Sequence, residues 1–306
     1  MDTPRPLDVI EDSALRRLFE LGDHSLVPMG RPGIEQHDGV VVETWAFSTA
    51  AGEAVRGLVT RPEAVAGPMP AVLYIHAHGN RYDIGADELI AGRPALQGPL
   101  GPVLAREGIL LFAIDLPAFG GRQSPGESAR AKAALWHGRS LAGQMLGELA
   151  AALDWLAARE DVDAARIGAF GISMGATLGY WLAAVDSRLA AVAHLCCFAD
   201  FDVLIDRGAH DLHGIYLTIP GLLETASNGA LAGRIAPRPQ LICIGDRDPL
   251  TPPEAVDPAL AQVRAAYAAT GAEAGLRLVR DPDAGHEETP AMRRALLEFL
   301  GQALRA

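Results

Sequence analysis

The sequence predicts an α/β fold, a mostly parallel sheet of eight strands with helices on both faces, and two observations carry that prediction. Beyond about residue 70, short runs rich in β-branched residues alternate with longer Ala/Leu-rich stretches, the pattern of strands joined by crossover helices. The strand-like runs are almost continuously apolar, as strands covered on both faces must be. The chain of 306 residues, 49% hydrophobic and 21% charged, has an ordinary globular balance, which excludes intrinsic disorder.

Taken in order, residues 1–39 read as an N-terminal extension packed on the surface of a single domain spanning 40–306. The extension opens with acids and prolines, where a secretory signal needs a cationic segment and then an apolar one, so the expected location is cytoplasmic. Residues 40–48 and 54–61 are rich in β-branched residues and are separated by Ala50, Ala51, Gly52 and Glu53, which fits an antiparallel hairpin at a sheet edge. Strands follow at 71–76, 109–115, 166–171, 190–196 and 240–245, with an eighth at 276–280. Helical spacing of apolar residues marks 99–106, 128–159, 174–185, 258–270 and 289–304 as the crossovers. After the sixth strand, residues 198–239 are too many for a plain loop and hold apolar residues of their own, so they are expected to fold as a small helical insertion that shapes a pocket.

Charge and cysteine content narrow the classes of partner. With 38 acidic and 26 basic residues the net charge is −12, a field that repels phosphate polymers and anionic lipid, so neither nucleic acid nor membrane is an expected partner. No block of about 18 uncharged apolar residues occurs. Cys196, Cys197 and Cys243 form no CxxC pair and read as buried thiols, with neither a disulfide framework nor a zinc site implied. Residues 168–171 lack the spacing of a dinucleotide fingerprint and no Gly-Lys-Ser/Thr phosphate loop is present, so no cofactor is expected.

The sharpest chemical signal is Gly171-Ile172-Ser173-Met174-Gly175, a G-x-S-x-G that follows one expected strand and opens one expected helix. A nucleophile on such a turn needs small residues two before and two after it, so that strand and helix can approach. The first amides of the new helix face any developing oxyanion, with the Met174 N–H as one donor. A serine hydroxyl needs a base and a group to orient that base. Asp248, after the strand at 240–245, and His286, after the last strand, give the chain order Ser, Asp, His found in α/β-hydrolases. Asp246 competes with Asp248 for the acid role, and Asp200 and Asp202 follow the preceding strand. Ser173 is read as nucleophile, His286 as general base and Asp248 as orienter.

The chain here resembles the α/β-hydrolase superfamily, and within it the dienelactone hydrolase-like and acetyl xylan esterase-like branch. The residues that carry the resemblance, besides the elbow, are Gly245 to Pro253 with Asp248, Ala284 to Glu288 with His286, Ala71 to Gly79, Asp161 to Ile167 and Ile235 to Pro239. It implies an α/β-hydrolase fold, ester hydrolysis through an acyl-enzyme, and a second oxyanion N–H from the loop after the third strand. His78 is the candidate donor, and Gly79 is the alternative because His76-Ala77 stands where such enzymes usually read His-Gly. Dienelactone hydrolases proper use a cysteine nucleophile, so serine at 173 favours simple ester hydrolysis, and the resemblance suggests short acyl groups, acetyl among them. The expected partner is then a small-molecule ester, and a homo-oligomer is compatible with this reading. A peptidase or amidase of the same fold, and a non-catalytic binding protein on a hydrolase scaffold, are the competing readings.

Six further residues are candidates for the pocket wall, each with plain packing as its alternative: Phe119, Arg122, Trp136, His210, His213 and Tyr216. Arg122 would pair a substrate carboxylate or tie its loop to a nearby acid. His210 and His213, with Asp211 between them, lack the i, i+4 placement and third ligand of a metal site, so no metal is expected.

Overall fold

A computed structural model of the chain describes residues 12–22, 24–64 and 66–305. Among them ten strands form one sheet: β1 (Leu26–Pro28), β2 (Gly33–His37), β3 (Val40–Thr49), β4 (Ala54–Pro62), β5 (Met69–Ile75), β6 (Leu110–Ile114), β7 (Val162–Ile172), β8 (Leu189–Leu195), β9 (Gln240–Gly245) and β10 (Leu276–Asp281). Their order is β1-β3-β4-β6-β5-β7-β8-β9-β10, with β2 also paired to β3. The strands from β6 to β10 along that order are parallel, while β3, β4 and the strands on β3 are antiparallel.

The eight expected strands are present, and two more, β1 and β2, come from the segment expected to lie on the surface. Residues 1–11 of that segment lie outside the described residues. All five residues of β2 are exposed, so no apolar alternation marks it; pairing with Val40 to Thr44 makes it a strand. The long helix expected over 128–159 is two, α4 (Glu127–Trp136) and α5 (Leu141–Ala157). The chain breaks at Gly138, whose φ is +69°, and restarts at Ser140, whose hydroxyl accepts the Gly143 N–H at 2.9 Å.

The other helices are α1 (Asp12–Leu18), α2 (Glu88–Ala91), α3 (Gly101–Arg106), α6 (Met174–Val185), α7 (Phe201–Asp206), α8 (Leu222–Thr225), α9 (Asn228–Gly233), α10 (Pro253–Ala269) and α11 (Pro290–Ala303). α10 begins before its expected start, with Pro253 in its first turn and Pro258 inside it. The period of two divides each central strand between two cores. Ala71, Leu73, Ile75, Phe112, Ile242 and Ile244 face α5, α6 and α10, while Val72, Tyr74, Leu111, Ala193, Leu241 and Cys243 face α3 and α11. Residues 198–239 hold α7, α8, α9 and two short 3-10 turns, and α9 packs on α6 and α10. No described helix is long and apolar enough to cross a membrane.

Candidate active site

β7 ends at Ile172 and α6 begins at Met174, so Ser173 alone turns the chain, at φ +59° and ψ −122°. A residue with a Cβ adopts that conformation only under strain of about 1–3 kcal/mol, so its surroundings must hold it there. The Ser173 N–H donates to the Leu195 carbonyl at 2.9 Å. The two elbow glycines permit the close approach: a Cβ on Gly171 would lie 2.2 Å from the Gly175 carbonyl carbon, and one on Gly175 would lie 2.0 Å from the Ile75 carbonyl oxygen. Both obstacles are backbone and cannot swing aside.

His286, on the loop after β10, sits with Nε2 2.9 Å from Ser173 Oγ and Nδ1 2.6 Å from Asp248 Oδ2. Asp248 is buried, its Oδ1 accepts the Leu250 N–H at 2.9 Å, and the Thr251 hydroxyl donates to Oδ2 at 3.1 Å. A carboxylate facing Nδ1 places the imidazole proton there and leaves Nε2 as acceptor for the serine hydroxyl, the tautomer a general base requires. The competing acids are engaged elsewhere. Asp246 is ion-paired with Arg280, Asp200 caps α7 through the Val203 N–H, and Asp202 lies in the first turn of that helix.

The loop after β5 borders the same cavity as Ser173. Met174 opens α6, so its N–H has no preceding turn to bond to. The Ala77 N–H is already used, donating to both oxygens of Glu88 at 3.2 Å, and the Asn80 N–H donates to His78 Nδ1 at 3.0 Å. The N–H groups of His78 and Gly79 have no acceptor among the described residues. The His78 ring is held away from the serine: Nε2 donates to Glu127 at 2.9 Å and the ring stacks on Tyr216. His76 is buried, accepts the Leu116 N–H on Nε2 and donates from Nδ1 to the Ala77 carbonyl. Burial pushes its pKa down to about 4.

Ser173 and His286 open onto a cavity of about 180 Å³ whose walls are Ile172 and residues between Ala77 and Ala95. The six residues expected in the pocket wall do not line it, each for a physical reason. Phe119 is buried under the rings of His76 and His78. Arg122 is locked between Glu148 and Glu53 and donates to the Asp115 carbonyl, so it ties its own loop. Trp136 is 89% exposed at the end of α4. His210 is exposed on a 3-10 turn. His213 donates from Nε2 to the Leu250 carbonyl at 3.0 Å, which fastens the insertion to the loop of Asp248. Tyr216 is buried against His78, with its N–H donated to Glu127 at 3.1 Å.

Several residues that hold the site were not among the candidates read from the sequence. Glu127 accepts from His78, Tyr82 and Tyr216, and although burial pushes its pKa up, the bonds from His78 and Tyr82 hold it below the usual range. Glu88 is wholly buried and ion-paired with Arg93. Glu288, two residues after His286, accepts the Gln97 N–H at 2.9 Å, pairs with Arg293 and donates its own N–H to the Ala95 carbonyl at 2.8 Å, which joins the histidine loop to the cavity wall. Only Glu288 had a local signal, its place beside His286.

The model of the dienelactone hydrolase family matches residues 55–286. YtaP of Bacillus subtilis (strain 168), provisionally named a hydrolase, is 36% identical over 286 residues, covering 93% of this chain and 95% of its own. Among solved structures, acetyl xylan esterase 1 from Thermoanaerobacterium sp. JW/SL YS485 superposes with a TM-score of 0.62 at 17% identity, covering 98% of this chain and 94% of the other. A methylesterase superposes at 0.70 with 23% identity, over 98% of this chain and 63% of its own. At those identities the two structures speak to the fold, the α/β-hydrolase fold, and not to the substrate.

Proposed function

The chain belongs to the dienelactone hydrolase family, and from that premise we propose that it is a serine carboxylic ester hydrolase acting on short-chain acyl esters such as acetyl esters. The observation that carries the proposal is the hydrogen-bonded chain from Ser173 Oγ through His286 to Asp248, on an elbow strained at the serine itself. Ser173 Oγ attacks the ester carbonyl while His286 Nε2 takes its proton, and Asp248 holds the imidazole and stabilises the cation that forms. The oxyanion is received by the Met174 N–H and an N–H of the His78-Gly79 segment. His286 then hands the proton to the leaving alcohol, and water deacylates the enzyme by the reverse sequence. A cavity of about 180 Å³ suits a short substrate group.

The test is hydrolysis of p-nitrophenyl acetate beside a longer acyl ester by the wild type and Ser173→Ala, with circular dichroism to follow folding. The expected result is serine-dependent turnover favouring acetate, with kcat lower by about 10⁴-fold or more in the variant. An undiminished rate in Ser173→Ala would falsify the assignment.

A further inference from the structure

Arg93, in the segment between α2 and α3, is buried in the cavity wall with only 5% of its side chain exposed. Two of its three guanidinium nitrogens are fixed: Nε faces Glu88 in an ion pair, and Nη2 donates to the Ala77 carbonyl at 3.0 Å. Glu88 is fixed in turn by the Tyr74 hydroxyl at 2.8 Å and by the Ala77 N–H. The third nitrogen, Nη1, has no acceptor among the described residues. It lies against Gly79, where a Cβ would come within 2.2 Å of Nη1 and where φ is +52°, so glycine at 79 makes room for the guanidinium. Arg93 and Gly79 both line the cavity that holds Ser173 and His286.

A buried ion pair is a weak device for stability, because desolvating both charges offsets most of their attraction. What this pair achieves is placement of a cationic donor, held from behind, at the wall of a small cavity beside the nucleophile. A donor left unmatched there favours any ligand that supplies an oxygen, and penalises one that presents hydrocarbon in the same place. The charges are already matched, Arg93 by Glu88 and neighbouring Arg81 by Asp83, so an uncharged oxygen suits the site better than a carboxylate.

We propose that Arg93 is a specificity-determining residue whose Nη1 donates to an uncharged ether or hydroxyl oxygen on the substrate group that enters this cavity. The inference rests on the serine-esterase reading and adds to it the chemistry of the substrate group: oxygenated, as in polyol and hydroxyacyl esters, rather than plain alkyl.

Two pairs of matched esters test it, each differing by one oxygen in place of one methylene: p-nitrophenyl methoxyacetate against butyrate on the acyl side, and 2-methoxyethyl acetate against butyl acetate on the alcohol side. The quantity read is the ratio of kcat/KM within a pair, compared between wild type and Arg93→Met, so that the intrinsic reactivity of each ester cancels. The preference for oxygen is expected to fall about tenfold or more in one pair, and which pair responds tells which half of the ester occupies the cavity. Because Arg93→Met strands Glu88, the double variant Glu88→Gln/Arg93→Met is read the same way and keeps the wall neutral. A loosened fold moves both esters of a pair together and leaves the ratio alone. Unchanged ratios in both pairs overturn the role of Arg93 while leaving the esterase reading intact, whereas a wild type that turns over none of the four esters overturns both.

Discussion

Ser173 is held in a conformation that suits glycine better than serine, and that makes its strain measurable apart from its chemistry. At φ +59° and ψ −122° it has the dihedral angles typical of the first central residue of a type II′ turn, a region where a Cβ is penalised. Ser173→Ala keeps the Cβ and the strain, and Ser173→Gly removes both while adding freedom to the unfolded chain. Strain of about 1–3 kcal/mol exceeds the roughly 0.4–1 kcal/mol given back as entropy, so Ser173→Gly is expected to unfold at a higher temperature than Ser173→Ala by a few degrees, with both inactive. Scanning calorimetry of the two variants decides it, and a lower Tm for the glycine variant contradicts the strain. The candidate triad could be read in the sequence because each member follows an expected strand and lies within two residues of a glycine or proline. The cavity wall could not. It is built from residues 77–95, where α2 is only four residues long and no period links Gly79 to Arg93.

The element that most exceeded sequence reading is the junction between α4, the loop after β5 and the insertion. The insertion was expected to shape a pocket, and its Tyr216 turns inward and meets His78 and Glu127. Glu127, the first residue of α4, accepts the Tyr82 hydroxyl at 2.6 Å, His78 Nε2 and the Tyr216 N–H, so one carboxylate fastens three separate segments. Nothing in a heptad or a strand period reports such a hub, because its partners lie 45 to 89 residues away along the chain. Truncation by Glu127→Ala leaves three donors in a largely buried site without their acceptor, a loss of about 2–4 kcal/mol. Glu127→Gln keeps one acceptor oxygen but sets an amide donor against one of the three, and is expected to fall between. Urea denaturation of the three proteins measures the order, and equal midpoints for wild type and Glu127→Ala refute the hub.

At the scale of the whole molecule, two buried histidines, one on β8 and one just past the end of β5, tie stability to pH. His194, on β8, is wholly buried between Tyr180 and Phe198, and burial pushes its pKa down to about 3, while that of His76 falls to about 4. The Gln240 amide nitrogen donates to His194 Nε2 at 2.9 Å, so a proton added there would face another donor. In the unfolded chain each imidazole binds its proton near pH 6.5. Between pH 6.5 and about 4 the unfolded state therefore holds protons that the native state refuses, and native stability is lost as pH falls through that window. Once pH is well below 6.5 each group contributes a slope of about 1.4 kcal/mol per unit. Glu88, whose pKa burial raises, acts in the opposite sense as pH rises above the usual carboxyl value, so the total profile mixes signs. Subtracting one histidine isolates its share. Replacing His194 by leucine removes the titrating ring from an apolar site, so unfolding free energies of His194→Leu should vary less steeply between pH 6 and 4.5 than those of wild type, by up to about 1.4 kcal/mol per unit. The starting stability of the variant does not matter, since only the slope is compared. Parallel profiles would mean that the folded protein accepts the proton on His194 as readily as the unfolded chain does, and would overturn the prediction.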